Sequence, residues 1–325
     1  MVLVQLVRNG SVGCNPSAER RVKKVCLTMI VKNEAHIIAK TLESVKDLID
    51  RWVIVDTGST DETETEVKRT LEGIPGMFSR TRWQGFGKAR SHAFYEAGRM
   101  LAIEDADARE WYAFVLDADE IVARIPNVKD GLSSGAEVYK VWIQIHNVRF
   151  PQLRFFRLDK PWTYKGVLHE FPTCEGLAPS DFTLEGFELG TGNGGARSKQ
   201  ADKYKRDAEL LEKELETETD FGMITRYVFY LAQSYRDAWM DKHALHNYLR
   251  RADLGPGLNW EEQYVALVEA GRAYNRLGEG DNALETFLRA YKLWPARAEA
   301  TRELAAIFAH RAKTSPKQGT LFVEV

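Results

Sequence analysis

Cysteine is scarce in this 325-residue chain: three residues, Cys14, Cys26 and Cys174, stand far apart without paired spacing. That excludes a zinc pattern and a disulfide framework, and it suits a reducing compartment. Net charge is nearly absent, with 45 basic against 47 acidic residues and a formal charge of −2. A chain-wide basic field for nucleic acid is therefore excluded, although a local patch is not. Long hydrophobic runs are missing too. No stretch approaches the length that spans a bilayer, and the apolar start, Met1 to Val7, is cut at Arg8 and Asn9, too early for a secretory signal. We expect no transmembrane segment and a cytoplasmic location. What is present is a globular composition, 44% apolar and 28% charged, on a chain longer than one typical domain.

After a loose leader over residues 1–24, Val25 to Val31 is a short, β-branched apolar run and reads as a buried strand. Ala35 to Ile49 shows helical spacing, with Ile37, Ile38, Leu42, Val45, Leu48 and Ile49 on one face. Trp52 to Val55 is a second strand, stopped by a polar turn from Asp56 to Asp61, where Ser59 or Thr60 can cap a helix from Asp61 to Leu71. Ser91 to Ala106 reads as a helix and Trp111 to Leu116 as a third strand. Tyr139 to Ile145 and Leu153 to Leu158 read as later strands. Alternating strands and helices at this spacing imply right-handed crossovers and a parallel sheet.

Composition changes after Ser198. Ala201 to Glu218 is charged and helix-forming, and no strand follows until the tail. Tyr235, Ala244, Tyr248 and Leu249 match Tyr274, Ala283, Phe287 and Leu288 at an offset of 39 residues. Small and aromatic residues at such steps let paired antiparallel helices pack closely, a pattern that resembles tetratricopeptide (TPR) repeats. The expected organisation is an α/β domain over 25–190, a flexible linker over 191–200, an all-α domain over 201–315 and a tail over 316–325.

Polar clusters fall at the ends of three strands. Asp117 and Asp119 flank the small Ala118, and alternate residues of a strand share a face. Two such carboxylates can approach a hard cation, Mg²⁺ or Mn²⁺, which would bridge the phosphates of a donor. Taken alone, Asp-x-Asp is as readily a solvated turn. Asp56 can accept hydrogen bonds from a base or ribose, or simply cap the next helix. Asn33 and Glu34, after Val31, end the first strand in the same way. Three such clusters line one crevice if the strands are parallel.

The run CLTMIVKNEAHIIAKTLESVKDLIDRWVIVDTGSTDETETEV, followed by FVLDADE, resembles family 2 glycosyltransferases of the GT-A fold over residues 25–175. The fold class implied is a Rossmann-like, mostly parallel α/β domain followed by an all-α, TPR-like one. The stretch LRFFRLDKPWTYKGVLHEF and the helical tail are similar to a subgroup with repeats behind the transferase. By this resemblance Val31, Asn33, Glu34, Asp56, Gly58, Asp117 and Ala118 contact a nucleotide-sugar, and Asp117, Asp119 and His169 hold the metal. The implied donor is a UDP-sugar, although Thr57 stands where many relatives carry a second Asp. Inversion at the anomeric carbon is likewise implied by the family.

An inverting transfer needs a base; Glu170 is the first candidate and Asp181 the second. Lys88 and Arg90 can face the diphosphate, or form a surface pair. Arg197, Ser198 and Lys203 belong to a flexible basic stretch that reads as a lid over the donor phosphates, or as a plain linker. Trp83, Trp162 and Tyr164 are the expected acceptor-side aromatics. A saccharide acceptor is the first expectation. A hydroxymethylated DNA base and a peptide side chain are alternatives, and the repeats offer a surface for a protein contact. The reading of a different class is a transferase-shaped adaptor without activity.

Overall fold

The computed structural model describes residues 23–124, 127–176, 182–191 and 202–314. The first part is an eight-stranded mixed sheet in the order β3-β2-β1-β4-β7-β6-β10-β5. β1 (Lys24–Val31), β2 (Arg51–Asp56), β3 (Gly76–Arg80) and β4 (Trp111–Val115) form its parallel half. β5 (Glu120–Arg124), β6 (Val138–Ile145), β7 (Val148–Arg157) and β10 (Thr183–Thr191) complete it. β7 runs antiparallel to both β4 and β6. A separate hairpin, β8 (Thr163–Lys165) and β9 (Phe171–Thr173), stands beside it.

Period-two alternation sorts the central strands onto two cores. Leu27, Met29, Ile54, Tyr112 and Phe114 face one side, where α1 (Ile38–Glu43) and α2 (Thr63–Thr70) pack. Cys26, Val53, Val55, Ala113 and Val115 face the other, covered by α3 (Phe86–Ile103). The strands are apolar on both faces because both faces are covered.

Several elements differ from the periodicity. The helix expected from Ala35 to Ile49 is only six residues long, Ile38–Glu43. Beyond it the backbone closes three-residue steps, with Val45 N–H donating to Leu42 O and Leu48 N–H to Val45 O. The Ser44 hydroxyl also donates to the Thr41 carbonyl at 2.7 Å, competing for a helical acceptor. Val45, Leu48 and Ile49 are buried all the same. The start of α2 is organised by Asp61, whose carboxylate accepts from Thr63 N–H at 3.1 Å, not by Ser59 or Thr60. α3 begins at Phe86, five residues before Ser91. Gly186 and Gly190 both lie in β10. Gly186 has φ 76° where the register with β6 shifts, as at a β-bulge.

The second part is all helix: α5 (Lys203–Leu215), α6 (Phe221–Asp237), α7 (Asp241–Asp253), α8 (Trp260–Arg276), α9 (Gly280–Leu293) and α10 (Ala298–Thr314). A four-residue α4 (Val128–Gly131) lies in the sheet domain. α6 and α8 start and stop 39 residues apart, and so do the starts of α7 and α9. The matched residues Ala244, Ala283, Tyr248 and Phe287 are all fully buried. Among the described residues no helix is long and apolar enough to cross a membrane.

Candidate active site

β1, β2 and β4 are parallel neighbours, so their carboxyl ends meet at one edge of the sheet. Two of the three loops there are stitched together. Asn33, in left-handed backbone at φ 58°, accepts at Oδ1 from Thr60 N–H at 2.7 Å, and its own N–H donates to Ser59 Oγ at 2.9 Å. Asp56 is buried, and its Oδ1 accepts from Ser59 N–H, Ser59 Oγ and Gly58 N–H. Its carboxylate shapes the turn; neither Asp56 nor Gly58 lines the cavity.

The third loop carries the acidic pair. Ala118 O accepts from the Thr41 hydroxyl at 2.6 Å, and Asp117 N–H donates to Glu120 Oε2 at 2.9 Å. Glu120 is itself buried against Arg154. Burial raises the Glu120 carboxyl to about 7, with Arg154 opposing. The turn that presents Asp117 and Asp119 is thus held from beneath by a buried ion pair and from the side by α1.

Arg90, on α3, bridges this turn to the hairpin. Its Nη2 lies 2.6 Å from Asp117 Oδ1 and its Nε 2.7 Å from Glu170 Oε1. Burial pushes the Asp117 carboxyl up, but the guanidinium outweighs it and holds the group below the usual carboxylate range. α3 approaches the hairpin closely because Gly87 has no side chain: a Cβ there would sit 2.7 Å from the Gly166 carbonyl oxygen.

The hairpin tip is in turn held by α6. Arg226 donates to the His169 carbonyl, with Nη2 at 2.5 Å. The His169 ring stacks on Tyr230 at 3.7 Å, and Val167 N–H donates to Tyr227 Oη at 3.3 Å. Leu168 is buried in the helical core. Together these elements enclose a cavity of about 960 Å³, at the upper end of the range for small-molecule sites.

Of the residues singled out in the sequence, Val31, Asn33, Glu34, Trp83, Arg90, Asp117, Ala118, Asp119, His169, Glu170 and Lys203 line this one cavity. Lys88 is exposed elsewhere. Trp162 is not available to an acceptor: it is buried against Phe156, with its indole N–H donating to Arg157 O at 2.8 Å. Tyr164 is stacked on Phe94, away from the lining, and burial raises its phenol to about 12. Asp181, Arg197 and Ser198 lie outside the described residues. The helical wall, with Arg206 and Asp207 from α5 and Gln233, Ser234 and Asp237 from α6, escaped the sequence reading. Its signal is helical: residues 226, 230, 233/234 and 237 fall on one face.

Among the described residues no three His, Cys, Asp or Glu side chains are arranged to hold a metal. Of the expected set, Asp117 is paired with Arg90 and the His169 ring is stacked on Tyr230. Two carboxylates suit a hard cation that draws its other ligands from phosphate oxygens and water.

Residues 26–174 match the profile of glycosyl transferase family 2. This stretch is similar to family 2 glycosyl transferases. The matched stretch includes all three strand-end loops, α3 and the hairpin. There is also a likeness to residues 1–349 of TarS from S. aureus, crystallised in complex with UDP. It covers 92% of this chain and 94% of that one at 14% identity and a TM-score of 0.39. Glucosyl-3-phosphoglycerate synthase from Mycobacterium tuberculosis, in complex with Mg²⁺ and UDP, is 20% identical over 38% of this chain and 44% of that one, with a TM-score of 0.27. A TPR repeat-containing protein of Synechococcus elongatus is 37% identical over 86 residues, 26% of this chain and 20% of that protein. The chain therefore spans about a fifth of that curated relative.

Proposed function

We propose that the chain transfers a sugar from a UDP-sugar to a saccharide acceptor, with inversion, in the cavity between the family 2 domain and α5–α6. The observation that carries this is the convergence on one cavity of the acidic turn, Arg90 and Glu170. Asp117 and Asp119 would hold a Mn²⁺ or Mg²⁺ ion, which when bound supplies positive charge against the diphosphate. The protein's own part is positioning. Thr41 and Glu120 fix the acidic turn, and Arg90 fixes its distance from Glu170. Lys203 adds a cation on the helical wall. Glu170, nearly buried and held at one oxygen by Arg90, is the group proposed to take the acceptor hydroxyl's proton; Asp181 is the second candidate. The wall sets Lys203 and Arg206 beside Asp207 and Asp237. That mixture suits hydroxyl-rich acceptors better than DNA, which calls for a basic stripe.

The test is calorimetry of UDP with Mn²⁺, paired with UDP release from UDP-sugars. Asp119→Ala should weaken Mn²⁺-assisted UDP binding by at least ~100-fold, about 3 kcal/mol, with the circular dichroism spectrum unchanged. Wild-type affinity in that variant would falsify the reading, and a native chain that releases no UDP from any UDP-sugar would favour an inactive adaptor.

A further inference from the structure

Among the described residues five non-glycines have left-handed backbone: Asn33, Asp105, His146, His169 and Trp239. Asn, Asp and His are the types that tolerate it; for a bulky residue it is an outlier. Trp239, at φ 59°, follows α6 and is 86% exposed. Burial of the indole does not compensate for the backbone.

The second repeat shows what the same turn uses when shape alone matters. After α6, Trp239 N–H donates to Arg236 O at 3.0 Å and Met240 N–H to Tyr235 O at 2.9 Å. After α8, Gly278 N–H donates to Asn275 O at 3.1 Å and Glu279 N–H to Tyr274 O at 2.9 Å. These are the same helix-ending turn, 39 residues apart, and its left-handed position normally belongs to glycine. Gly278, at φ 81°, obeys that preference and Trp239 does not. Strain of this kind gathers at functional sites. Here Asn33 and His169 both line the cavity, and Trp239 follows the lining residue Asp237 by two positions, within about 7 Å along the backbone.

We propose that Trp239 is a stacking platform beside the helical wall of the cavity, taking the apolar face of a pyranose ring in a saccharide acceptor. The proposal rests on the transferase reading and adds an aromatic on the α6 side of the cavity to Trp83, which lines it. An indole offers a large rigid apolar face at low entropic cost. On α6, which Trp239 follows, the cavity-lining Gln233, Ser234 and Asp237 carry donors and acceptors suited to ring hydroxyls.

The full chain carries eight tryptophans, so 5-fluorotryptophan labelling gives eight ¹⁹F signals, and Trp239→Gly identifies the one at 239. Titration with maltohexaose and with chitohexaose in the millimolar range should shift that signal, and Trp239→Phe should bind several-fold more weakly than the native chain. Trp239→Gly should melt at or above the native temperature, because it restores the residue of the second repeat. A static signal with both oligosaccharides overturns the proposal, as does a lower melting temperature in Trp239→Gly. So does a native dimer in sedimentation that becomes monomeric in Trp239→Gly, which would make the indole a protein contact. The titration needs no donor: a shifting signal in a chain that never releases UDP leaves the platform standing and the transferase reading fallen. Donor turnover with a static signal does the reverse.

Discussion

The two helical repeats are one scaffold put to two uses. On α6, Arg226, Tyr230 and Gln233 face the hairpin and the cavity. On α8 the equivalent positions, 39 residues on, hold Val265, Glu269 and Arg272. There Arg272 pairs with Glu269 at 2.8 Å and with Glu303 of α10 at 2.7 Å. The buried face is the same in both, with Tyr248 and Phe287 fully covered. A repeat fixes shape through its buried residues, so its outward-facing positions are free to diverge. Where two repeats differ on that face, the difference reports what each one touches.

Exchanging residues between the repeats should break this division, and the largest effect is expected at Arg226. Arg226→Val installs the residue of the second repeat and removes the donor to the His169 carbonyl and the cation over Tyr230 and Phe171. Release of the hairpin lets Glu170 drift from Arg90. Displacements of about 1 Å can cost ~100-fold in rate, and for the proposed transfer a fall in kcat of roughly 10- to 100-fold is expected, with a smaller change in the KM for the proposed donor. Arg226 also lies 3.6 Å from the buried Glu262, which keeps Arg251 as its partner at 3.4 Å. The fold should therefore survive. Native kcat in Arg226→Val would show that the hairpin holds itself.

The reverse exchange, Gly271→Ala, should cost stability and spare turnover. Ala232 is its counterpart in the first repeat and is fully buried there. At 271 a Cβ would lie 2.6 Å from the Phe287 ring, which is itself fully buried and has no room to move. Helix propensity favours Ala over Gly by about 1 kcal/mol, whereas overpacking a core costs about 1–3 kcal/mol. The clash wins, and urea unfolding should report a net loss of about 1–2 kcal/mol. An increase in stability would mean that the two helices separate without cost.

Much of this was legible in sequence because it depends on local pattern. The strands β1, β2 and β4 are apolar runs, and the acidic turn after β4 follows from their ends. The repeat offset follows from buried small and aromatic residues. What the pattern hid was whether a polar side chain faces the cavity or its own backbone. Asp56 and Asp117 both end parallel strands, yet Asp56 is consumed by the Gly58–Ser59 turn while Asp117 meets Arg90 from α3. Trp162 and Trp83 look alike in composition, but one fills the core and the other lines the cavity. Arg226 and Tyr230 were missed for a similar reason. Their partner, the hairpin at 163–173, is some 60 residues away in sequence, and no periodicity encodes that distance.

The smallest effect is expected where the second repeat has put its outward face to use. Arg272→Gln installs the residue that lines the cavity at 233, and it removes two ion pairs of a side chain that is 38% exposed. Exposed pairs contribute up to about 1 kcal/mol each, and solvent screening reduces that further. The loss in urea unfolding should stay below about 1 kcal/mol and shrink in 0.5 M salt, with turnover unchanged. A loss above about 2 kcal/mol would mean that the Arg272 network, rather than the packing around Phe287, carries the stability of the second repeat. The outward face would then be structural in both repeats.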